Sequence, residues 1–544
     1  MMDSGLLLVA TLAFPLAMVV ACLHPAFYAR ILTWLPLAAV PGLLAALFER
    51  GDSIVIAPAP LRLTLALDEV GAMLLGGASL LWGAAGFYAS ISMCGRPGAG
   101  RFAIWWLLTM TGSLGVFIVA DMTSFYLVFS LASLAAYGLV SFEGTARAQR
   151  AGFVYMALAL LGEALILLGF VMLVTAAPGG NPLIRDAVAM LPGSPLESPA
   201  VLLLIFGFGL KMGLVPLHVW MPLAHPVAPV PASAVLSGVI VKAGVIGLIR
   251  FLPLEVPSPD WGMALVGLGL LTAFYGVLVG LTQPHAKTIL AYSTVSQMGV
   301  VAAIIGGGMT AGAPHTAALA AFYALHHLLV KGALFLGVGI AGATGRRHRV
   351  SFVLIPMALL SLSLAGLPFT SGALAKLATK PLFGDGVSAL LASLSAAGST
   401  MLMLHFLGRL QLLANDDHEG IPQRPLMLVW AVVAGASFIV PWALFANVSG
   451  YALADAIKPD ALWAASWPIL LGATLTLITT RFISRMPTVP EGDIIVVLDK
   501  LAPLVMRIGS GIDRTDEVLR RWPVASIGLL SLAIAFGAVL QFGR

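Results

Sequence analysis

Lysine, glutamate and histidine side chains set inside apolar runs can pass protons, and this sequence holds several. Residues 207–250 read GFGLKMGLVPLHVWMPLAHPVAPVPASAVLSGVIVKAGVIGLIR, with Lys211 and Lys242 each in a run long enough to cross a bilayer. Between them lie His218, His225 and the prolines Pro216, Pro222, Pro226, Pro229 and Pro231. Lys331 and Lys376 follow in later apolar runs, with His326, His327 and His405, and Glu163 is the one acid near the middle of such a run. A lysine at the bilayer centre costs roughly 2.5 kcal/mol or more even on the lenient insertion scales. Snorkelling would excuse a lysine near a span end, but Lys211 and Lys242 sit roughly eight or more residues from either end. A lysine in a low-dielectric site gives up its proton more readily, and a nearby carboxylate restores its hold. Histidine titrates near neutrality unaided and suits the bridges between lysines. Coulomb coupling between such groups is a few kcal/mol at an effective dielectric near ~20, enough to change their occupancy.

The rest of the chain must hold these groups in a membrane. Of its 544 residues 60% are hydrophobic and 10% charged, against about 25% charged in soluble domains. Length therefore counts spans, not soluble domains. The apolar run from Leu6 to Cys22 is preceded by Asp3 and no basic residue, which argues against a cleavable signal. Cys22 and Cys94 form no CxxC, so no disulfide framework, iron–sulfur or thiolate zinc site is indicated. The net charge of +5 is spread over short loops and does not point to nucleic acid. A Walker loop and a GxGxxG after a strand are both lacking, which leaves no basis for an ATPase or a dinucleotide binder.

Apolar periodicity gives an all-α polytopic membrane protein of sixteen spans: 4–23, 30–48, 70–92, 102–120, 122–142, 152–175, 199–219, 229–251, 262–282, 288–307, 316–341, 352–379, 386–410, 426–447, 464–482 and 523–541. Loops after odd-numbered spans hold eighteen of the 29 lysines and arginines and loops after even-numbered spans hold seven; the other four are the embedded lysines. The positive-inside rule then puts the odd loops in the cytoplasm and both termini on the outer side. Spans seven and twelve carry breaks, at Pro216 in the first and at Gly366 and Pro368 in the second, because proline removes a donor and clashes with the preceding turn. They are five apart in the series, an odd number, so they run in opposite directions, as in an inverted repeat of five helices. The chain divides into 1–100 (helices 1–3), 101–252 (first repeat, helices 4–8), 253–412 (second repeat, helices 9–13), 413–486 (helices 14–15) and 487–544. In the last segment, 487–522 reads as either a connecting loop or an amphipathic helix on the cytoplasmic face, followed by the final span.

Four motifs in order carry a family resemblance. Lys211-x4-Pro216-Leu217-His218-x-Trp220-x-Pro222-x2-His225 runs into Pro229-x-Pro231-x-Ser233-Ala234. Gln283-x3-Lys287-x2-Leu290-Ala291-Tyr292-Ser293-Thr294-x-Ser296-Gln297, His327-x3-Lys331-x2-Leu334-Phe335-Leu336, and Gly366-Leu367-Pro368 with Ser371-Gly372 and Lys376 follow. Together they resemble the antiporter-like subunits of respiratory complex I and their relatives in membrane-bound hydrogenases, formate hydrogenlyase and Mrp-type sodium/proton antiporters. The likeness covers about 60–450 and leans toward the hydrogenase-type large subunit. It implies a proton or sodium pathway along the mid-membrane axis. It also implies redox chemistry and iron–sulfur centres in partner subunits only, with no cofactor and no redox or hydrolytic centre in this chain. The partners implied are other antiporter-like and small membrane subunits with a peripheral redox arm, in a bacterial-type inner membrane. Two other readings stand beside this one: a subunit of an Mrp-like Na+/H+ antiporter, and a membrane subunit of a carbon-uptake complex.

The resemblance places the relay on Lys211, Lys242, His327, Lys331 and Lys376, with His218, His225, His326 and His405 as candidate access, exit or gating groups. His218 and His225 are expected near the cytoplasmic surface. Two positions depart from the pattern, and the first is Ser130, which stands where the family has a helix-five glutamate. Ser130 lies 13 residues from Glu143, and Glu163 lies 13 residues from Arg150. Each is thus about 19 Å from the cytoplasmic end of its helix. Glu163 is therefore expected to replace the missing acid as the partner of Lys211. His285, where an aspartate is usual before Lys287, is expected to affect contacts more than transport. Asp68 and Asp121 are expected as helix N-caps.

Overall fold

The computed structural model describes residues 5–49, 53–56, 63–177, 183–344, 347–413, 423–483 and 489–496. Met1–Glu491 form one compact unit and Gly492–Arg544 a second, of which 492–496 are described. The chain opens with α1 (Leu6–Ala21), then α2 (Pro25–Tyr28), α3 (Ile31–Trp34), a 3-10 turn (Leu35–Ala39) and α4 (Val40–Phe48). A small antiparallel pair, β1 (Ile54–Val55) and β2 (Thr64–Leu65), leads into α5 (Glu69–Ser92), α6 (Ala99–Gly115), α7 (Met122–Val140) and α8 (Ala146–Ala176). Next come α9 (Ile184–Ala189), α10 (Glu197–Met212), α11 (Trp220–Val227), α12 (Val230–Val235), a π-turn (Leu236–Ile240) and α13 (Val241–Phe251). The second half holds α14 (Pro259–Gly280), α15 (Ala286–Ala311), α16 (Thr316–Gly342), α17 (Arg347–Ala365), α18 (Ser371–Thr379), α19 (Val387–Leu413), α20 (Arg424–Ser449) and α21 (Pro459–Ile483).

Eleven of these stretches are long and apolar enough to cross a membrane, with Leu6–Ala21 and Phe352–Ala365 as shorter apolar helices. The polytopic all-α fold is thus present, and fifteen of the sixteen expected spans fall on described helices. The final span, 523–541, and the amphipathic stretch 487–522 beyond 489–496 lie outside the described residues. Span 30–48 is not one helix. Pro36 and Pro41 each open a new turn, since a proline supplies no N–H to the turn before it. Spans seven and twelve are broken as expected. The first stops at Gly213 in the left-handed region and leaves 213–219 irregular, and the second is interrupted over 366–370.

Outward faces keep large apolar residues such as Phe153, Phe352, Ile439 and Leu477 exposed, as a lipid-facing surface requires. The stretch Val230–Phe251 and helices α15 and α16 are enclosed almost completely by other helices. Between α7, α8, α10 and α13 an aromatic cluster of Phe125, Phe129, Phe170, Phe208 and Phe251 packs, with Phe170 and Phe251 stacked at 4.4 Å. Asp68 and Asp121 cap α5 and α7, accepting from Gly71 N at 2.6 Å and Ser124 N at 2.8 Å. Arg250, at the end of α13, donates to the carbonyls of Val116, Phe117 and Val119 and to Asp68. It thereby satisfies carbonyls that the end of α6 leaves without helical donors.

Candidate functional site

The enclosed helices carry the candidate relay. Lys242 is fully buried on α13, just past the π-turn. Such a turn loosens the helical ladder and frees backbone groups. Here the Ser237 carbonyl lies 3.4 Å from Lys242 Nζ, and Ser237 Oγ pairs with Thr294 Oγ1 on α15 at 2.8 Å. Lys242 Nζ meets His327 Nδ1 on α16 at 2.5 Å. One turn further along α16, Lys331 donates to the Leu290 carbonyl of α15 at 2.9 Å and to Ser293 Oγ. His327 and Lys331 are both fully buried. Buried cations persist only when hydrogen-bonded, and oxygens or an imidazole supply every one of these contacts.

His326 faces the other way. Its Nδ1 lies 2.8 Å from Ser371 Oγ at the start of α18, and Ser371 reaches Ser363 on α17 at 3.2 Å. This ties α16 to the break in span twelve and places His326 within Coulombic reach of Lys376 and Lys242. Lys376 donates to Ala365 O, the last carbonyl of α17. The chain turns there through Gly366 at φ +100, and an ammonium suits a carbonyl-bearing helix end. A cavity of about 480 Å3 opens onto Lys376 and is lined also by Tyr323, Thr379, Ser393 and Asp460. Its rim carries Asp455 and Lys458, paired at 2.7 Å. The hydrogen bond from Lys458 holds the Asp455 carboxyl below the usual carboxylate range, and the same contact raises Lys458.

Lys211 stands apart, at the end of α10 before the break at Pro216. Its Nζ donates to Ser133 Oγ at 2.8 Å and to Tyr155 OH at 3.2 Å, while Tyr155 OH donates to the Ser133 carbonyl at 2.9 Å. Glu163 is buried at 5% exposure in the same neighbourhood, within Coulombic reach of Lys211 and beside Ser130 and Ser133. Ser130 and Glu163 lie in one neighbourhood, but Lys211 and Glu163 do not form a direct ion pair: the ammonium is held by Ser133 and Tyr155 instead. α8 and α10 come together at Gly162 and Gly207, where a Cβ on Gly207 would meet Gly162 O at 3.1 Å and Ile166 Cγ1 at 2.6 Å. That close crossing sets Glu163, one residue on, against Lys211, one turn on.

His218 and His225 are fully buried among other side chains. After the break the chain turns back into the bundle and α11 packs against α8 and α15. His218 then sits edge-on to Tyr275 at 5.0 Å, and His225 lies over Phe335 at 4.9 Å with both ring nitrogens buried and without a hydrogen-bond partner. Lys287, near the start of α15, donates to the Ala228 carbonyl at 2.7 Å and lies within Coulombic reach of His225 and of Glu143. His405 meets the Gln283 carbonyl at 2.9 Å, near the connection from α14 to α15 and well along α19 from the cavity at Lys376. Ser293 and Ser371 lie in the motifs quoted above without an assigned role, and Ser133 and Tyr155 were not singled out. The one available signal was spacing: Tyr155 and Glu163 lie eight apart on α8, and Ser130 and Ser133 three apart on α7, so each pair shares a face.

A family profile described as "NADH:quinone oxidoreductase/Mrp antiporter, TM" matches residues 119–404. Hydrogenase-4 component B of Escherichia coli (strain K12) is 33% identical over 290 residues, 51% of this chain and 43% of that one. The putative antiporter subunit mnhA2 of Staphylococcus epidermidis (strain ATCC 12228 / FDA PCI 1200) is 33% identical over 304 residues, 51% of this chain and 37% of that one. The match thus spans less than half the length of these relatives. Among solved structures, the Mrp complex from Dietzia sp. DQ12-45-1b superposes with a TM-score of 0.79 at 20% identity, over 99% of this chain and 63% of that one. The membrane-bound sulfane sulfur reductase, an archaeal respiratory complex, gives 0.65 at 19% identity, over 87% of this chain and 98% of that one.

Proposed function

Because this chain belongs to the NADH:quinone oxidoreductase/Mrp antiporter transmembrane family, we propose that it is the proton-translocating membrane subunit of a complex-I-related oxidoreductase. In this reading redox centres sit in partner subunits, and this chain moves charge. The observation that carries the reading is the contact of Lys242 with His327 at 2.5 Å, one helical turn from Lys331, all fully buried inside the enclosed helices. An imidazole between two amines accepts a proton on one nitrogen and releases one from the other. Repulsion between adjacent cations then makes occupancy of one lysine depend on the next. From Lys331 and His327 the series continues through His326 and Ser371 to Lys376 and its cavity. At the other end Lys211 and Glu163 form the first station, and water carries protons between Lys211 and Lys242. Polar atoms that are buried without a partner, at Ser130 Oγ, Glu163 Oε1, both nitrogens of His225, His326 Nε2 and His327 Nε2, are the places where such water would bind.

By the charge rule the end carrying Lys287 faces the cytoplasm of a bacterial-type inner membrane and the Lys376 cavity faces out. His218 and His225, beneath Lys287, serve as an access group on the inner side, and His405 as a gate at the same end. A second reading has the same relay in an Mrp-like antiporter that exchanges H+ for Na+. It is favoured by the superposition on the Mrp complex over 99% of this chain. The test is isolation from the native membrane in mild detergent, identification of the co-purifying subunits, and reconstitution with a pH dye inside the vesicles. Iron–sulfur subunits with proton flux under a potassium diffusion potential support the first reading. Proton flux driven by a sodium gradient, with antiporter subunits and no redox subunit, supports the second. No proton flux under either driving force contradicts both.

A further inference from the structure

The surroundings of Lys211 hold more than a charged pair. Lys211 Nζ rests on Ser133 Oγ and Tyr155 OH, not on a carboxylate. Glu163 Oε1 and Ser130 Oγ, in the same neighbourhood, lie buried without a hydrogen-bond partner. The Gly162–Gly207 crossing fixes the height of Glu163 and Lys211, and helical side chains lean toward the N-terminus, which brings the Lys211 chain back over the turn at Gly207. A hydroxyl both accepts and donates. Ser133 can therefore accept from the lysine and give its own proton to a carboxylate, which a methyl group at that position cannot do.

We propose that Lys211 and Glu163 exchange a proton through serine hydroxyls: the acid of this half of the relay sits on α8, Ser130 and Ser133 of α7 span the gap, and Tyr155 holds Lys211 at its resting station. The inference rests on the relay reading above and adds Ser130, Ser133 and Tyr155 as positioning residues. In the transfer step the Lys211 ammonium passes one proton to Ser133 Oγ while the Ser133 hydroxyl proton moves to the Glu163 carboxylate. The products are a neutral amine, an intact serine and a neutral carboxylic acid, so protons and charge balance. Ser130 Oγ, without a partner at rest, turns to donate to the same carboxylate during the transfer and holds it toward Ser133. Both charges are cancelled inside the bundle and regenerated when the acid gives its proton onward.

The experiment uses the isolated complex with the full chain, reconstituted with a pH dye and driven by a potassium diffusion potential. Assembly is checked by size-exclusion chromatography. Glu163→Gln and Ser133→Ala should each slow proton flux by about ten-fold or more, because a carboxylate beside a lysine shifts its proton affinity by one to three pKa units. Tyr155→Phe keeps the ring against Trp220 and removes only the hydroxyl, so it should shift the pH profile of the flux. Ser130→Glu added to Glu163→Gln returns an acid to α7 and should recover flux. Parent-level flux in Glu163→Gln or Ser133→Ala overturns the proposal, as does an assembled Ser130→Glu/Glu163→Gln variant no faster than Glu163→Gln. If Glu163→Gln does not assemble, Ser133→Ala and the Tyr155→Phe pH profile decide. Lys242→Ala is run alongside. Its loss of flux together with unaffected Glu163→Gln rejects the serine bridge and leaves the relay standing, whereas unaffected flux in Lys242→Ala rejects the relay itself.

Discussion

At the scale of single residues, charge in an apolar run is the signal that survives without a structure. Lys211, Lys242, Lys331 and Lys376 stood out because each costs free energy that ordinary packing does not recover, and the structure gives the first three buried hydrogen-bonded places. The hydroxyls of Ser133 and Tyr155, which serve Lys211, did not stand out. Serine and threonine in these helices commonly bond their own backbone one turn back, as Thr111 does to Leu107 O and Thr400 to Ala396 O. A serine facing a lysine therefore looks no different in sequence from one satisfied locally. Full burial was also illegible for His218 and His225, because a loop between prolines does not show from sequence which helices cover it. Arg250 gives a residue-scale prediction. Its guanidinium satisfies three carbonyls past the end of α6 and pairs with Asp68. Arg250→Met should destabilise the chain by about 2–4 kcal/mol, since buried acceptors lose charge-assisted donors. A fall in thermal unfolding temperature in detergent measures this, and an unchanged temperature contradicts the capping role.

At the scale of elements, the breaks in spans seven and twelve were legible from proline and glycine, and they place Lys211 and Lys376 beside helix ends. The π-turn at Leu236–Ile240 was not legible, because its apolar periodicity is that of a continuous helix; the distortion shows only in the backbone. Span 30–48 matches the apolar stretch Ile31–Phe48, but its prolines divide it into short helical turns, a detail that apolar length alone does not carry. The second break supports a prediction. Gly366 has φ +100, and a Cβ on it would lie 2.9 Å from Lys376 Cδ and 3.0 Å from its Nζ. Gly366→Ala should therefore cost about 1–3 kcal/mol of stability through backbone strain. It should also push Lys376 off the Ala365 carbonyl. A lowered unfolding temperature with reduced proton flux is the expected result. Parent-like values for both would mean that neither the turn nor the lysine contact needs glycine.

At the scale of the whole molecule, the embedded ionisable set carries four lysines against one glutamate, which is a line of like charge in a poorly screening interior. Such a line cannot hold every proton at once, so loading one site favours unloading its neighbour. In the relay proposed above, that coupling passes occupancy along the bundle without large movements of helices. The helix inventory and the membrane class could be read from sequence because hydrophobic length is a one-dimensional property. Contacts such as Lys242 with His327, 85 residues apart, depend on which helices are neighbours, and composition does not encode that. The decisive measurement is proton flux in the reconstituted complex carrying Lys242→Ala or Lys331→Ala, compared with the parent at equal assembly. The account predicts a fall of about a hundred-fold in each, the loss expected when a positioned proton-transfer group is removed. Flux at the parent rate in both assembled variants would contradict it.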